Sequence, residues 1–172
     1  MRLVTDLGEA PEAIASARAE AQGAFGDPAV FLERYAPRAR HVEVQVLSDT
    51  HGTALHLGDR DCSLQRNHQK LIEEAPAADL PEALRDDMRA AAVRLAQAIG
   101  YRSAGTVEYL FDPARGEYYF LEMNTRLQVE HPVTELITGL DLVEEMILIA
   151  AGKRLRHKQN DININGWAME SR

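Results

Sequence analysis

The chain has 172 residues, 27 acidic against 19 basic, a net charge of −8 and 45% hydrophobic residues. That is enough for one domain, or one domain plus part of another, with a real core. The acidic balance excludes a global field that attracts nucleic acid, no apolar run approaches the roughly 18 residues of a membrane span, and the single Cys62 excludes an intrachain disulfide and points to a reducing compartment.

From the N-terminus, Met1–Asp6 carries no signal-peptide pattern, and the alanine-rich stretch from Ala10 to Ala24 reads as a helix closed by Gly26. Val30–Tyr35 reads as a short strand. His41–Leu47 alternates polar and apolar residues, the signature of a half-buried strand, and places His41 and Glu43 on one face. Asp49–Gly52 is a turn, and Thr53–Leu57 is the returning strand. Gln65–Lys70 is a dense polar run expected in a loop. Pro81–Ile99 predicts a helix with an apolar stripe of Leu84, Met88, Ala91, Leu95 and Ile99, ended by Gly100. Thr106–Phe111 and Glu117–Met123 are two strands joined by Asp112–Gly116. Asp141 and Glu144 resemble a capping box for a helix that ends at Gly152. Strands and helices do not alternate strictly, so the expected class is α+β with an antiparallel sheet.

The hairpin around Asp112–Gly116 predicts a register in which Phe111 faces Tyr119 and Glu108 faces Glu122. Carboxylates directly opposite each other have Cβ atoms roughly 4.5–5.5 Å apart and repel. Either they are solvated on an open face or a cation lies between them. Asn124 shares the face of Glu122 and would add a third oxygen, a set suited to Mg²⁺ or Mn²⁺ shared with nucleotide phosphates. Arg126, Gln128 and Glu130 follow at alternate positions. They are either an anion site with a neighbouring base or a surface ion pair worth little. Lys70 in its polar run could serve as a point charge for phosphate, and a solvated loop is the alternative. Cys62 reads as a small buried hydrophobe. No glycine-rich phosphate loop is present.

Several runs together resemble the biotin carboxylase family. They are Arg40–Gln45, Arg60–Lys70, Glu73–Pro76 and, most specifically, Phe120–Glu135, with Glu122-Met123-Asn124-Thr125-Arg126-Leu127-Gln128-Val129-Glu130-His131 at its centre. The resemblance covers essentially the whole chain. The large subunit of carbamoyl phosphate synthetase has a related site in which valine and proline flank the asparagine, so Met123 and Thr125 favour biotin carboxylase. The resemblance implies an ATP-grasp fold, with an antiparallel sheet flanked by helices. Residues 1–35 would be the second half of a lid subdomain, and residues 36–172 the central nucleotide- and metal-binding part, incomplete at both ends.

The same resemblance implies the site. Glu108 and Glu122 would bind the divalent metals, with Asn124 beside them. Arg126, Gln128 and the backbone of Val129 would hold bicarbonate, Glu130 would be its base, and Lys70 would meet the phosphates. Gln65 and His68 would help hold the nucleotide, and Glu33, Arg34 and Ala36 would match the adenine segment near His41. The family carries a larger aliphatic residue where this chain has Ala36. Arg172 would support the biotin enolate. The implied reaction is ATP-dependent carboxylation of carrier-bound biotin by bicarbonate through carboxyphosphate. Its implied partners are a biotin carrier domain and a carboxyltransferase subunit, in an oligomer that is cytoplasmic or, in a eukaryote, mitochondrial. The family's glycine-rich lid loop and an earlier phosphate-binding lysine are not in the sequence, so the chain is expected to be a piece of a longer enzyme and inactive alone. Trp167 in the closing run leans towards the propionyl-CoA carboxylase type. The alternatives are another bicarbonate-activating ATP-grasp ligase and a non-catalytic nucleotide-binding remnant.

Overall fold

A computed structural model describes residues 2–172. Met1, the first residue of the expected lid segment, lies outside the described residues. The chain divides into two compact units, Met1–Pro37 and Arg38–Arg172.

The first unit is built on helix α1 (Ala10–Phe25), with Pro11 in its first turn and Gly26 closing it in the left-handed conformation. No residue of α1 is fully buried. The strand expected over 30–35 is not formed, and the segment is irregular. Val30-Phe31-Leu32 lacks the alternation of a half-buried strand, and no ladder partner pairs with it among the described residues.

The second unit contains β1 (Arg40–Ser48), β2 (Ala54–Arg66), β3 (Gln69–Ala75), α2 (Glu82–Ala98), β4 (Ser103–Asp112), β5 (Glu117–Asn124), α3 (His131–Thr138), α4 (Leu142–Ala150) and β6 (Ala168–Ser171). The strands form one sheet in the order β5-β4-β1-β2-β3-β6, with every neighbouring pair antiparallel. The returning strand runs to Arg66, well beyond the expected Leu57. The polar run expected as a loop is instead a hairpin, with only Asn67 and His68 between β2 and β3. Both adopt positive φ, 51° and 62°. Two such residues give a turn whose twist matches the flanking strands.

The alternation of β1 separates two environments. Val42, Val44 and Val46 point to α2, where Met88, Ala92 and Ala96 close over them together with Val107, Tyr109 and Phe111 of β4. The buried stripe of α2 is therefore rotated from the expected one, and Ile99 is exposed. Alanines let the helix approach the sheet closely, while Leu84 and Leu95 pack at its margins. On the opposite face, Leu47, Leu57, Ala104, Leu142 and Ile149 form a second apolar cluster under α4. Asp141 caps α4 by accepting from the Glu144 backbone N–H at 2.8 Å.

Two of the sheet's register breaks, one in β2 and one in β5, help set what else lies on that second face. In β2 the pairing slips between Val44↔Asp59 and Val46↔His56, at Gly58 with φ 91°. An extra residue in one strand reverses the alternation beyond it. Leu57 faces the α4 side before the slip, and Arg60 faces that side after it. Asp59 turns instead to Arg85 and Arg89 of α2.

The second break lies in β5. Phe111 pairs with Tyr118, not with the expected Tyr119, because the hairpin closes at Asp112↔Glu117. A bulge after Phe120 then takes up Leu121, and Glu108 pairs with Glu122 as expected. The expected loop was one residue too long, and the bulge cancels that error.

Candidate active site

The two slips place Glu122, Glu108, Glu43 and Arg60 side by side across β5, β4, β1 and β2. Three carboxylates in a row are unfavourable unless cations reach them. Lys70 on β3 does so, with Nζ 2.6 Å from Glu43, 3.0 Å from Glu108 and 2.6 Å from Glu130. Glu130 lies at the start of α3 and also meets Arg172 at 2.7 Å. The same guanidinium reaches Glu73 of β3 at 2.7 Å. Arg172 is held there by its backbone N–H, which donates to Leu71 at 2.9 Å.

Arg60 is fully buried. Its Nε donates to Glu43, Nη1 to Gln45 (2.7 Å) and Thr134 (2.8 Å), and Nη2 to Thr106 (3.2 Å) and Gln128 (3.3 Å). Gln65 donates its amide nitrogen to His41 Nδ1 at 2.8 Å and to the Cys62 carbonyl at 2.7 Å. With Nδ1 accepting, the His41 proton sits on Nε2, 2.7 Å from Glu108. The buried Cys62 thiol belongs to this charged region: its pKa is pushed up by burial and then by Glu43, so it stays protonated.

These contacts move several groups away from their ordinary titration ranges. Burial raises the Glu108 pKa, but His41 and Lys70 outweigh it and hold the carboxyl at about 2. Glu130 is likewise raised by burial and then drawn below its usual value, chiefly by the Lys70 hydrogen bond. Burial works against the Lys70 charge, yet Glu43 and Glu130 hold its pKa above the ordinary value. Glu73 goes the other way, because burial raises it more than Arg172 lowers it.

Several expected site residues thus converge in one cluster: Lys70, Glu108, Glu122, Asn124, Gln128, Glu130, Arg172, His41 and Gln65. Other expected residues of the second unit are not part of it. His68 occupies the exposed tip of the β2–β3 hairpin. Arg126 is exposed and, among the described residues, donates to the Leu127 carbonyl, at 3.4 Å, and forms no ion pair with Glu130. Val129 is 59% exposed, and residues 125–130 do not continue a strand. Glu33, Arg34 and Ala36 belong to the first unit, on its irregular segment. Glu43, Gln45, Arg60, Glu73, Thr106 and Thr134 are buried in or beside the cluster and were not expected as site residues. Glu43 and Gln45 had a direct signal, their shared strand face with His41, and Arg60 an indirect one in Gly58.

The cluster suits a divalent cation. Glu43, Glu73, Glu108, Glu122 and Glu130 bring five carboxylates against the three cations Lys70, Arg60 and Arg172. Asn124 bridges Glu108 and Glu122, but with its amide nitrogen, 3.0 Å from each, and not with the expected oxygen. Two carboxylates attract the N–H end of an amide, and a cation between them would attract the other end. A metal at the expected pair Glu108 and Glu122 would need Asn124 rotated to join them, and the ligand atoms already gathered closely enough for a cation are those of His41, Glu43 and Glu108, and of Glu43, Cys62 and Glu130.

The solved structures place this sheet, with its row of carboxylates, half-buried Lys70 and fully buried Arg60, among ATP-grasp domains. The structure of a biotin carboxylase–β,γ-ATP complex from Campylobacter jejuni superposes with a TM-score of 0.91 at 48% identity, covering 100% of this chain and 38% of that one. The chain belongs to the family described as the carbamoyl-phosphate synthase L chain, ATP binding domain, which matches residues 1–158. It is 54% identical over 172 residues to the biotin carboxylase of Pseudomonas aeruginosa, covering all of this chain and 38% of that protein. It is equally 54% identical to the propionyl-CoA carboxylase alpha chain of Ruegeria pomeroyi, of which it covers 25%. The chain thus spans well under half the length of these two relatives. No helix among the described residues is long and apolar enough to cross a membrane.

Proposed function

We propose that this chain supplies the central nucleotide-, metal- and bicarbonate-binding part of a biotin carboxylase. The enzyme would carboxylate carrier-bound biotin with ATP and bicarbonate, as part of an acyl-CoA carboxylase. The observation that carries this reading is the meeting of Lys70, Glu108, Glu130 and Arg172 in one partly buried network. High identity to biotin-dependent carboxylases along the whole chain supports it.

In this reading bicarbonate binds beside Glu130, with the exposed Arg126 guanidinium and the Gln128 amide as its donors. Glu130 takes the bicarbonate proton, and the freed oxygen attacks the γ-phosphorus of ATP. ADP leaves and carboxyphosphate forms. Glu130 is a weak base because Lys70 and Arg172 stabilise its anion, so the transfer needs the product dianion stabilised as it forms. Lys70 is positioned to take over that task. When phosphate or dianion arrives, Nζ can exchange a carboxylate partner for it while remaining charged. A divalent metal held by Glu108 and Glu122 would neutralise phosphate charge. Carboxyphosphate then splits into CO₂ and phosphate, the phosphate takes the N1′ proton of biotin, and N1′ captures the CO₂, with Arg172 supporting the enolate. Glu33 and Arg34 would meet adenine, with His41, Gln65 and His68 on the nucleotide. The closing run with Trp167 leans towards a propionyl-CoA carboxylase, and partner subunits would choose the acyl group. The enzyme would assemble as an oligomer with its carrier and carboxyltransferase, in cytoplasm or in mitochondria.

Two measurements test this. Calorimetric titration of the chain with ADP and Mn²⁺ should show binding that Lys70→Met and Glu108→Gln weaken. Bicarbonate- and biotin-dependent ADP release should appear in a full-length carboxylase carrying these residues and be negligible for the 172 residues alone, which cover 38% or less of the two relatives named above. Unaltered nucleotide binding in both variants, with no bicarbonate-dependent ADP release from the full-length protein, would refute it.

A further inference from the structure

Arg60 has five N–H bonds, and the structure uses all five on five different side chains. These come from β1 (Glu43 and Gln45), β4 (Thr106), α3 (Thr134) and the segment before α3 (Gln128). A fully buried guanidinium with one ion-pair partner and four neutral acceptors is an expensive device for tying strands together, since apolar packing would do that at least as well. What apolar packing cannot do is set the direction of the groups around it. Gln45 and Gln128 both turn their amide oxygens to Arg60. Their nitrogens must then point away, Gln45 Nε2 to the Gly105 carbonyl at 2.9 Å and Gln128 Nε2 to Glu108 at 2.9 Å. Glu43 is split in the same way, with one oxygen on Arg60 and the other on Lys70.

We infer that Arg60 is a positioning residue for the anion half of the site. It fixes the Gln128 side-chain amide with its N–H₂ group directed at the reaction centre. Without it, the amide could turn its oxygen to the centre and repel an incoming oxyanion. It also anchors the carboxylate on which Lys70 rests. Arg60 would touch neither bicarbonate nor nucleotide; its effect on the anion passes through Gln128, whereas a lysine at position 60 would keep the charge that faces Glu43. The inference rests on the proposed biotin carboxylase reading.

The test uses a full-length carboxylase carrying these residues, with Arg60→Lys, Gln128→Ala, Thr134→Val and the double variant Arg60→Lys/Gln128→Ala. Lysine keeps the charge but offers three donors on a flexible stem and cannot reproduce the fork. Arg60→Lys should raise the KM for bicarbonate about tenfold or more and leave the KM for ATP within about twofold. In the Gln128→Ala background the same substitution should add little, because its route is already removed. A merely structural Arg60 would lower the active fraction, and hence kcat, with both KM values unmoved. Thr134→Val removes one Nη1 acceptor outside the anion site. It should shift the bicarbonate KM in the same direction by a smaller factor, and it keeps the test open if Arg60→Lys does not fold. Unchanged bicarbonate KM in Arg60→Lys and Thr134→Val, or fully additive effects with Gln128→Ala, would overturn the inference. If the parent enzyme shows no bicarbonate-dependent ATP cleavage at all, the proposed function fails first, and that result is distinct from either outcome here.

Discussion

The two faces of β1 are built from the same seven residues, 41–47, and serve opposite ends. Val42, Val44 and Val46 meet α2 and are wholly buried among apolar groups. Glu43 and Gln45 are just as buried, and His41 is half-buried, but they look onto Lys70, Arg60 and Glu108. Burial alone therefore does not distinguish core from site in this molecule. The apolar face gains free energy roughly in proportion to area removed from water. On the charged face, desolvation offsets most of the Coulomb gain, and what the ion pairs secure is direction. The contrast teaches that stability and chemistry are laid on opposite sides of one strand, so substitutions on the two sides should separate in their effects.

The largest effect should come from the charged face. Glu130→Gln in a full-length carboxylase keeps the shape but cannot accept a proton. It should cost about 10²–10⁴-fold in turnover, with the KM for ATP nearly unchanged and the melting temperature nearly that of the parent, since Lys70 keeps Glu43 and Glu108. Steady-state kinetics with a thermal melt read both quantities. A raised KM for ATP with turnover intact would remove Glu130 from its role as base.

The apolar face should respond the other way. Met88 is 1% exposed in the cluster under α2. Met88→Ala should lower unfolding free energy by about 2–5 kcal/mol in urea titrations. Both KM values should stay put, because α2 covers the sheet face away from the cluster.

Gly58 joins the two faces, and its substitution should affect both. It sits at φ 91°, and a Cβ there would lie 3.1 Å from Ile164 Cδ1. Gly58→Ala should cost about 1–3 kcal/mol for the strained backbone. It should also lower activity beyond what the lost folded fraction explains, since the bulge is what turns Arg60 to the site. An activity loss that matches the unfolded fraction would deny the bulge that second role.

The smallest effect is a pH dependence. The Glu108 pKa is depressed from 4.5 to about 2. A depressed carboxylate contributes stability that is fully present above its unfolded value and lost as pH falls through the folded one. Glu130 acts in the same direction, while the raised Glu73 partly offsets both. Urea titrations between pH 4.5 and about 2 should therefore show a steeper loss of stability in the parent chain than in Glu108→Gln. Equal slopes would mean that His41 and Lys70 contribute nothing to holding that carboxylate.

Sequence reading reached the apolar side of this comparison more surely than the charged side. The period of 41–47 gave β1 both its faces, and the apolar spacing and Gly100 gave α2 its place and end. The strands β3 and β6 had no such period, since Gln69–Ala75 is polar at its start and β6 has four residues. Register was the weak point. Glu108 opposite Glu122 came from a loop one residue too long, and the bulge at Leu121 restored the pairing. Leu121 offers no local signal for a bulge. Gly58 did offer one, a lone glycine inside a strand, and reading it would have placed Arg60 on the site face. The roles of Glu73 and Thr134 depend on β3 and α3 meeting across the fold, and no short-range pattern encodes that.

The central claim is that the charged face holds nucleotide phosphates through a cation at Glu108 and Glu122. The most direct test is an anomalous-scattering map from crystals of the chain grown with ADP and Mn²⁺. The account predicts a Mn²⁺ peak within coordination distance of both carboxylates, about 2.0–2.3 Å, with the Asn124 amide turned to present its oxygen. A peak elsewhere, or Glu108 and Glu122 both free of metal while nucleotide is bound, would contradict it.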